Sequence, residues 1–144
     1  MIHGVSHVTL AVGDLDRAVA FYTDALGLRL AARWERGAYL AAGDLWLALA
    51  LDPDAAPASG ATHVAFAVAA DDFGAVRDRV LASGAEEWRE NRSEGASLYV
   101  RDPDGHQLEV HVGTLASRLD VLAGSPGVEV DGSTVGSGAR PAGR

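Results

Sequence analysis

Two histidines stand at the same point of a repeated hexapeptide. His7 opens HVTLAV (7–12), His63 opens HVAFAV (63–68), and Glu109 lies in a third apolar stretch, QLEVH (107–111). Two neutral imidazoles and one carboxylate make a three-ligand set for a divalent cation, and they leave coordination positions open for catalysis. Strand residues two apart share a face, so His7 goes with Thr9, and Glu109 with Gln107 and His111. If the two segments curl toward each other, or toward a second copy, the three ligands meet in one cavity. A lone histidine is more often simply a core or edge residue with one hydrogen bond. The duplication is what favours a metal site. His3, His106 and His111 lack that relation: His106 is expected in solvent beside a turn, and His111 as a spare group behind the ligands.

A second group runs Arg89-Glu90-Asn91-Arg92-Ser93-Glu94-Gly95-Ala96-Ser97-Leu98-Tyr99, with Arg118 further on. Guanidiniums pair with carboxylate- or phosphonate-type oxygens, and serine and tyrosine hydroxyls complete such a cradle. The same composition also describes an ordinary polar hairpin carrying surface charge. Ser93 and Ser97, with the carbonyls of Asn91 and Gly95, offer oxygen ligands for a hard monovalent cation. Tyr39 and Trp46 read either as core or as the lining of a small-molecule pocket, and Trp34 and Trp88 as core or interface.

The elements that must position these groups follow from periodicity. Met1–Val12 reads as a strand, and Asp14 as the N-cap of a helix with Ala18, Phe21, Tyr22, Ala25 and Leu26 on one face and Gly27 as its stop. Strands are predicted at Leu28–Trp34, Ala38–Ala42 and Leu45–Leu51, and DPDAAPASGA (52–61) reads as a linker. The pattern then restarts. Asp71 or Asp72 opens a second helix, with Phe73, Val76 and Val80 facing inward and Gly84 as its stop. Strands follow at Glu86–Glu90, Ala96–Arg101 and Gln107–Val112. The chain is thus two βαβββ units of an α+β fold, one at about 1–52 and one at about 62–113, with residues 53–61 between them. Thr114 is expected to cap a short last helix (114–122), and the Gly/Ser/Pro-rich stretch 123–144 to be disordered or draped over the surface.

Composition narrows the classes. The chain has 144 residues, 48% of them hydrophobic, enough for one compact domain or two small modules sharing a core. A net charge of −8 argues against nucleic acid or an anionic membrane as partner. With no cysteine, disulfides, thiolate zinc sites, iron–sulfur clusters and a cysteine nucleophile are excluded. No run approaches the roughly 20 apolar residues of a bilayer span. MIHGVSHVTL lacks the pattern of a signal peptide, so a cytoplasmic location is the default.

These residues resemble a known family. The βαβββ repeat with His7, His63 and Glu109 is similar to the vicinal oxygen chelate (glyoxalase/bleomycin resistance) superfamily, and within it to the FosA-type fosfomycin glutathione transferases. The segments HVTLAVGDLDRAVAFYTDALGLRL, ARWERGAYL, GDLWLAL, NRSEGASLYV and DPDGHQLEVHVGTLASRL carry the resemblance, which spans about residues 1–122. It implies an Mn²⁺ ligand set of His7, His63 and Glu109, with His7 from one subunit of a homodimer and the other two from its partner. It also implies that Thr9 assists the attacking thiol and that Arg89, Ser93, Tyr99 and Arg118 hold the phosphonate. Tyr39 and Trp46 would line the pocket, and Asn91, Ser93, Gly95 and Ser97 would bind an activating K⁺. The substrates implied are fosfomycin and glutathione. One departure is Arg89, where the family usually has lysine; a forked guanidinium replaces a point charge. Two rivals share the scaffold: an Fe(II) extradiol dioxygenase, and a drug-sequestering dimer that uses no metal.

Overall fold

The computed structural model describes residues 1–131. It contains β1 (His7–Val12), α1 (Leu15–Ala20), β2 (Arg29–Trp34), β3 (Gly37–Ala42), β4 (Leu45–Leu51), β5 (Val64–Ala67), α2 (Ala70–Ala82), β6 (Glu87–Arg89), β7 (Ser97–Arg101), β8 (Gln107–His111) and α3 (Leu115–Leu122). Two four-stranded sheets result, ordered β1-β4-β3-β2 and β5-β8-β7-β6. In each, the first strand pairs in parallel with the last, and the other pairs are antiparallel. The expected βαβββ repeat is present, and among the described residues no helix is long and apolar enough to cross a membrane.

The local causes are visible. The Asp14 side chain accepts from the Arg17 N–H at 3.0 Å and starts α1. That helix widens into a π turn over Phe21–Ala25, which carries Phe21, Tyr22 and Ala25 into the interior before Gly27, at φ +78°, ends it. Thr114 caps α3 through a reciprocal capping box with Ser117.

Three expectations need correction. The first strand starts at His7 rather than Met1: its partner β4 begins at Leu45, with Trp46 opposite His7, and offers nothing for residues 1–5 to pair with. The second helix starts from Ala69, whose extended backbone caps it, while Asp71 and Asp72 lie inside the first turn and complement the helix dipole. His106 is half-buried rather than solvated, and donates from Nε2 to the Ala11 carbonyl at 2.6 Å. Beyond α3, residues 124–131 run through turns, with Ser125 N–H donating to the Leu122 carbonyl and Val128 N–H to that of Ser125. The remainder of the stretch expected to be disordered lies outside the described residues.

Alternation sorts each sheet into two faces. Leu10, Val12, Leu40, Leu47 and Leu49 of the first sheet and Phe66, Leu98, Val100, Leu108 and Val110 of the second turn into one shared cluster with the α1 face and Val80 of α2. Each fully buried leucine there contributes about 1.5–3 kcal/mol. Polar ties cross the same seam. Tyr22 O–H donates to Asp102 at 2.6 Å, Gly13 N–H to Asp104 at 2.7 Å, and Arg79 Nε to the Ala25 carbonyl at 2.8 Å. Burial, then the Asp102 charge, push the Tyr22 hydroxyl well up, so it remains a neutral donor. Because the two modules join through their helices and core faces, the opposite faces of the sheets point away from each other.

Candidate metal centre and anion-binding loop

On the second sheet, the face opposite the core carries Glu109, Ser97, Tyr99 and Arg89 in neighbouring register positions. His63 precedes β5, and its position is fixed from both sides. Gln107 donates to the Gly60 and Thr62 carbonyls at 2.8 and 3.0 Å, tying β8 to the segment just ahead of His63. The His63 ring reaches back to the Ala61 carbonyl through Nδ1 at 2.7 Å, and its Nε2 stands 2.9 Å from Glu109 Oε2.

This geometry has a chemical consequence. A carbonyl only accepts, so Nδ1 donates to Ala61 and Nε2 is the ring nitrogen turned toward the carboxylate. Two electron-rich atoms held that close call for a positive charge between them, a proton or a metal ion. A histidine whose far nitrogen is fixed by a backbone carbonyl is the usual arrangement of a metal ligand, so the residues present fit a divalent cation. Glu109 is buried, which by itself would raise its carboxyl. Hydrogen bonding with Ser97 and His63 and the charges of His111 and His63 outweigh that, so the group sits below the ordinary carboxylate value and is ionised.

The other expected ligand stands elsewhere. His7 lies on the first sheet with its ring 4.4 Å from that of Trp46 and its Nδ1 2.7 Å from the Ser6 hydroxyl. Thr9 shares its face. Tyr39 and Trp46 are there too, their rings 4.9 Å apart, and Trp34 extends the row at 4.7 Å from Tyr39. All three large aromatics are exposed, at 46% for Trp34, 38% for Tyr39 and 39% for Trp46. Among the described residues of one copy, no three metal-ligating side chains converge.

The loop between β6 and β7 is a closed turn. Asn91 donates to the Gly95 carbonyl at 2.9 Å and accepts from both N–H and O–H of Ser93. Gly95 has φ +79°, and a Cβ there would overlap the Val112 carbonyl oxygen, so only glycine fits. Asn91, Ser93 and Gly95 are therefore brought together, whereas the Ser97 hydroxyl points to Glu109. Arg89 lies over the Tyr99 ring at 5.3 Å. Arg118 donates to the Glu94 carbonyl at 3.3 Å and holds the Glu94 carboxylate at 3.3 Å.

Sequence reasoning missed two neighbours of the centre. Trp88, read as core or interface, packs 5.6 Å from the His63 ring and 5.4 Å from Tyr99, with its Nε1 donating to the Leu108 carbonyl. It sits where the β6–β7 register shifts, and no alternation rule reaches an irregular position. Glu94, the counter-ion of Arg118, carries no sequence signal beyond its charge.

Comparison with known proteins agrees with this fold and site. Residues 4–110 match the Glyoxalase/Bleomycin resistance protein/Dioxygenase superfamily. The chain is 47% identical over 130 residues to a glutathione transferase FosA from Serratia marcescens, covering 88% of this chain and 92% of that protein. It is 40% identical over 126 residues to a metallothiol transferase FosB from Shouchella clausii, covering 83% and 86%. Among solved structures, the fosfomycin resistance protein FosX from Listeria monocytogenes, complexed with Mn(II) and sulfate, superposes with a TM-score of 0.73 at 30% identity. That match covers 84% of this chain and 98% of the FosX chain. The chain belongs to the glyoxalase/bleomycin resistance/dioxygenase superfamily and, within it, to the branch of FosA- and FosB-type transferases.

Proposed function

We propose that this chain is a metal-dependent thiol transferase that adds glutathione to the epoxide of fosfomycin and so confers resistance in the cytoplasm. Mn²⁺ would be shared between two subunits, and K⁺ would be held by the Asn91–Gly95 loop. The observation that carries the reading is the His63–Glu109 pair, a 2.9 Å nitrogen–carboxylate contact with the far ring nitrogen locked to Ala61. It stands beside a cationic, hydroxyl-bearing loop. A second copy laying its first sheet over this face would bring the partner's His7 as third ligand, with the partner's Thr9 beside it. Such docking would also cover the exposed Trp34–Tyr39–Trp46 row. In addition, β5 is an edge strand that borders a cleft of about 860 Å³ lined by Leu26, Leu45, Phe66 and Val76 among others, where a partner can approach.

When bound, the divalent ion supplies Lewis-acid stabilisation of the negative charge that develops as an epoxide opens. The protein's own residues do the rest. Arg89 and Arg118 neutralise the phosphonate, which otherwise repels an anionic nucleophile. Ser93 and Tyr99 donate hydroxyls to it, Tyr39 and Trp46 wall the pocket, and Thr9 orients the thiol. A C–S bond forms as a C–O bond breaks, and the thiol proton accounts for the new hydroxyl. No side chain becomes covalently attached. Arg118 is held by Glu94 in this structure, so an incoming anion competes with that carboxylate. Glutathione is the favoured donor because the FosA relative at 47% identity carries that name.

Purified protein supplied with Mn²⁺, K⁺, glutathione and fosfomycin gives the thiol adduct by mass spectrometry. Absence of adduct alongside turnover of catechols would overturn the assignment in favour of a dioxygenase. Tight drug binding by metal-free protein, without turnover, would overturn it in favour of sequestration.

A further inference from the structure

Glu109 has two oxygens, and only Oε2 faces His63. Oε1 lies 2.6 Å from the Ser97 hydroxyl. A carboxylate only accepts, so the serine spends its single hydrogen on Oε1. The same Ser97 oxygen is 2.6 Å from Nδ1 of His111. With no hydrogen left, Ser97 accepts there, and the proton sits on His111 Nδ1. His111 Nδ1 is also 3.3 Å from Glu109 Oε1. The result is a directed chain: His111 donates to Ser97, Ser97 donates to Glu109 Oε1, and Oε2 is left for the centre.

The fold supports this chain at each end. Ser97 and His111 are directly opposite across β7 and β8, and Glu109 is two residues from His111 on the same face. The His111 side chain is only 17% exposed. It lies in a slot kept open by two glycines: a Cβ at Gly95 would stand 3.2 Å from its Cε1, and one at Gly113 would stand 2.8 Å from its Nε2. Both glycines have positive φ, +79° and +138°. A side chain at either position would crowd the ring, so glycine at both is what leaves room for it beside Ser97.

We infer that His111, acting through Ser97, is a positioning residue for Glu109: the pair anchors Oε1 so that Oε2 alone is presented to a divalent cation. This rests on the reading of Glu109 as a metal ligand. Partners of this kind typically change metal affinity by about 10–100-fold.

The test is titration of the full chain with Mn²⁺ alone, free ion read by electron paramagnetic resonance, with melting temperatures in chelator run in parallel. Ser97→Ala and His111→Leu weaken Mn²⁺ binding about tenfold or more with the metal-free melting temperature little changed. His111→Asn restores binding, because its amide places an N–H where Nδ1 was. The Ser97→Ala/His111→Leu double variant is no weaker than Ser97→Ala, since one residue acts through the other. Binding within twofold of the parent for both single variants would overturn the inference, as would failure of His111→Asn to restore it, or additive losses in the double variant. A Glu109→Gln control separates the two claims. If it binds Mn²⁺ like the parent, the ligand reading falls and this inference falls with it. If it loses Mn²⁺ while Ser97→Ala and His111→Leu keep it, only the inference falls.

Discussion

The two sheets are built on one lattice and differ in what occupies it. In the first, Thr9 pairs with Ala48, and Ala48 with Tyr39. In the second, Ala65 pairs with Glu109, and Glu109 with Tyr99. The position that carries a carboxylate in one module therefore carries a methyl group in the other, while the tyrosine beside it stays. Each module also places a histidine at the head of its first strand, His7 and His63. The duplicated scaffold supplies two similar half-sites, and the exchanges of Ala48 for Glu109 and Thr9 for Ala65 make them unequal. The second can hold charge, and the first offers a histidine, a hydroxyl and an aromatic wall. A cation between a second sheet and a first sheet would meet three protein ligands rather than four, which leaves room for substrate.

That comparison can be broken most forcefully at its ionic half. His63→Ala should abolish stoichiometric Mn²⁺ and lower adduct formation by more than about 100-fold, since even supporting residues change affinity by about 10–100-fold. Metal analysis and mass spectrometry read both effects. Restoring symmetry is the second test. Ala48→Glu puts a carboxylate on the lattice point matching Glu109; a fourth ligand fills an open position, so Mn²⁺ is retained while turnover drops about tenfold or more.

A third variant probes the seam rather than either face. Tyr22→Phe leaves buried Asp102 without its tyrosine donor and should lower unfolding stability by about 1–3 kcal/mol in denaturant titration, with Mn²⁺ affinity unchanged. The smallest effect is expected at the margin of the site. Arg89→Lys exchanges a guanidinium stacked on Tyr99 for a point charge and should change the KM for fosfomycin only about two- to fivefold, in line with about 0.5–1 kcal/mol for an exposed cation–π contact.

Much of this was legible in the residues. The HVxxAV repeat and the helix stops at Gly27 and Gly84 give the βαβββ units because period and punctuation are local properties. Strand parity put Glu109 and His111 on one face, as observed. What stayed hidden depends on partners far along the chain. The start of β1 is set by where β4 begins, and the burial of His106 by the Ala11 carbonyl. Ser97 was read as an oxygen ligand for a monovalent cation, but its hydroxyl is committed to Glu109. Register across β7 and β8 decides that, and register is not written in either strand alone. Trp88 belongs to the same class: its place beside His63 follows from a shift in pairing that composition does not announce.

Joining the modules by their helical sides has one last outcome. Each polypeptide carries its two unequal half-sites back to back, and neither can complete the other within the chain. Under the shared-centre reading, a pool of His7→Ala chains and a pool of Glu109→Gln chains are each inert, yet after subunit exchange every mixed pair contains one wholly unmutated centre. Random re-pairing of equal amounts should then revive about a quarter of all centres, so two dead proteins in one tube would make a live one.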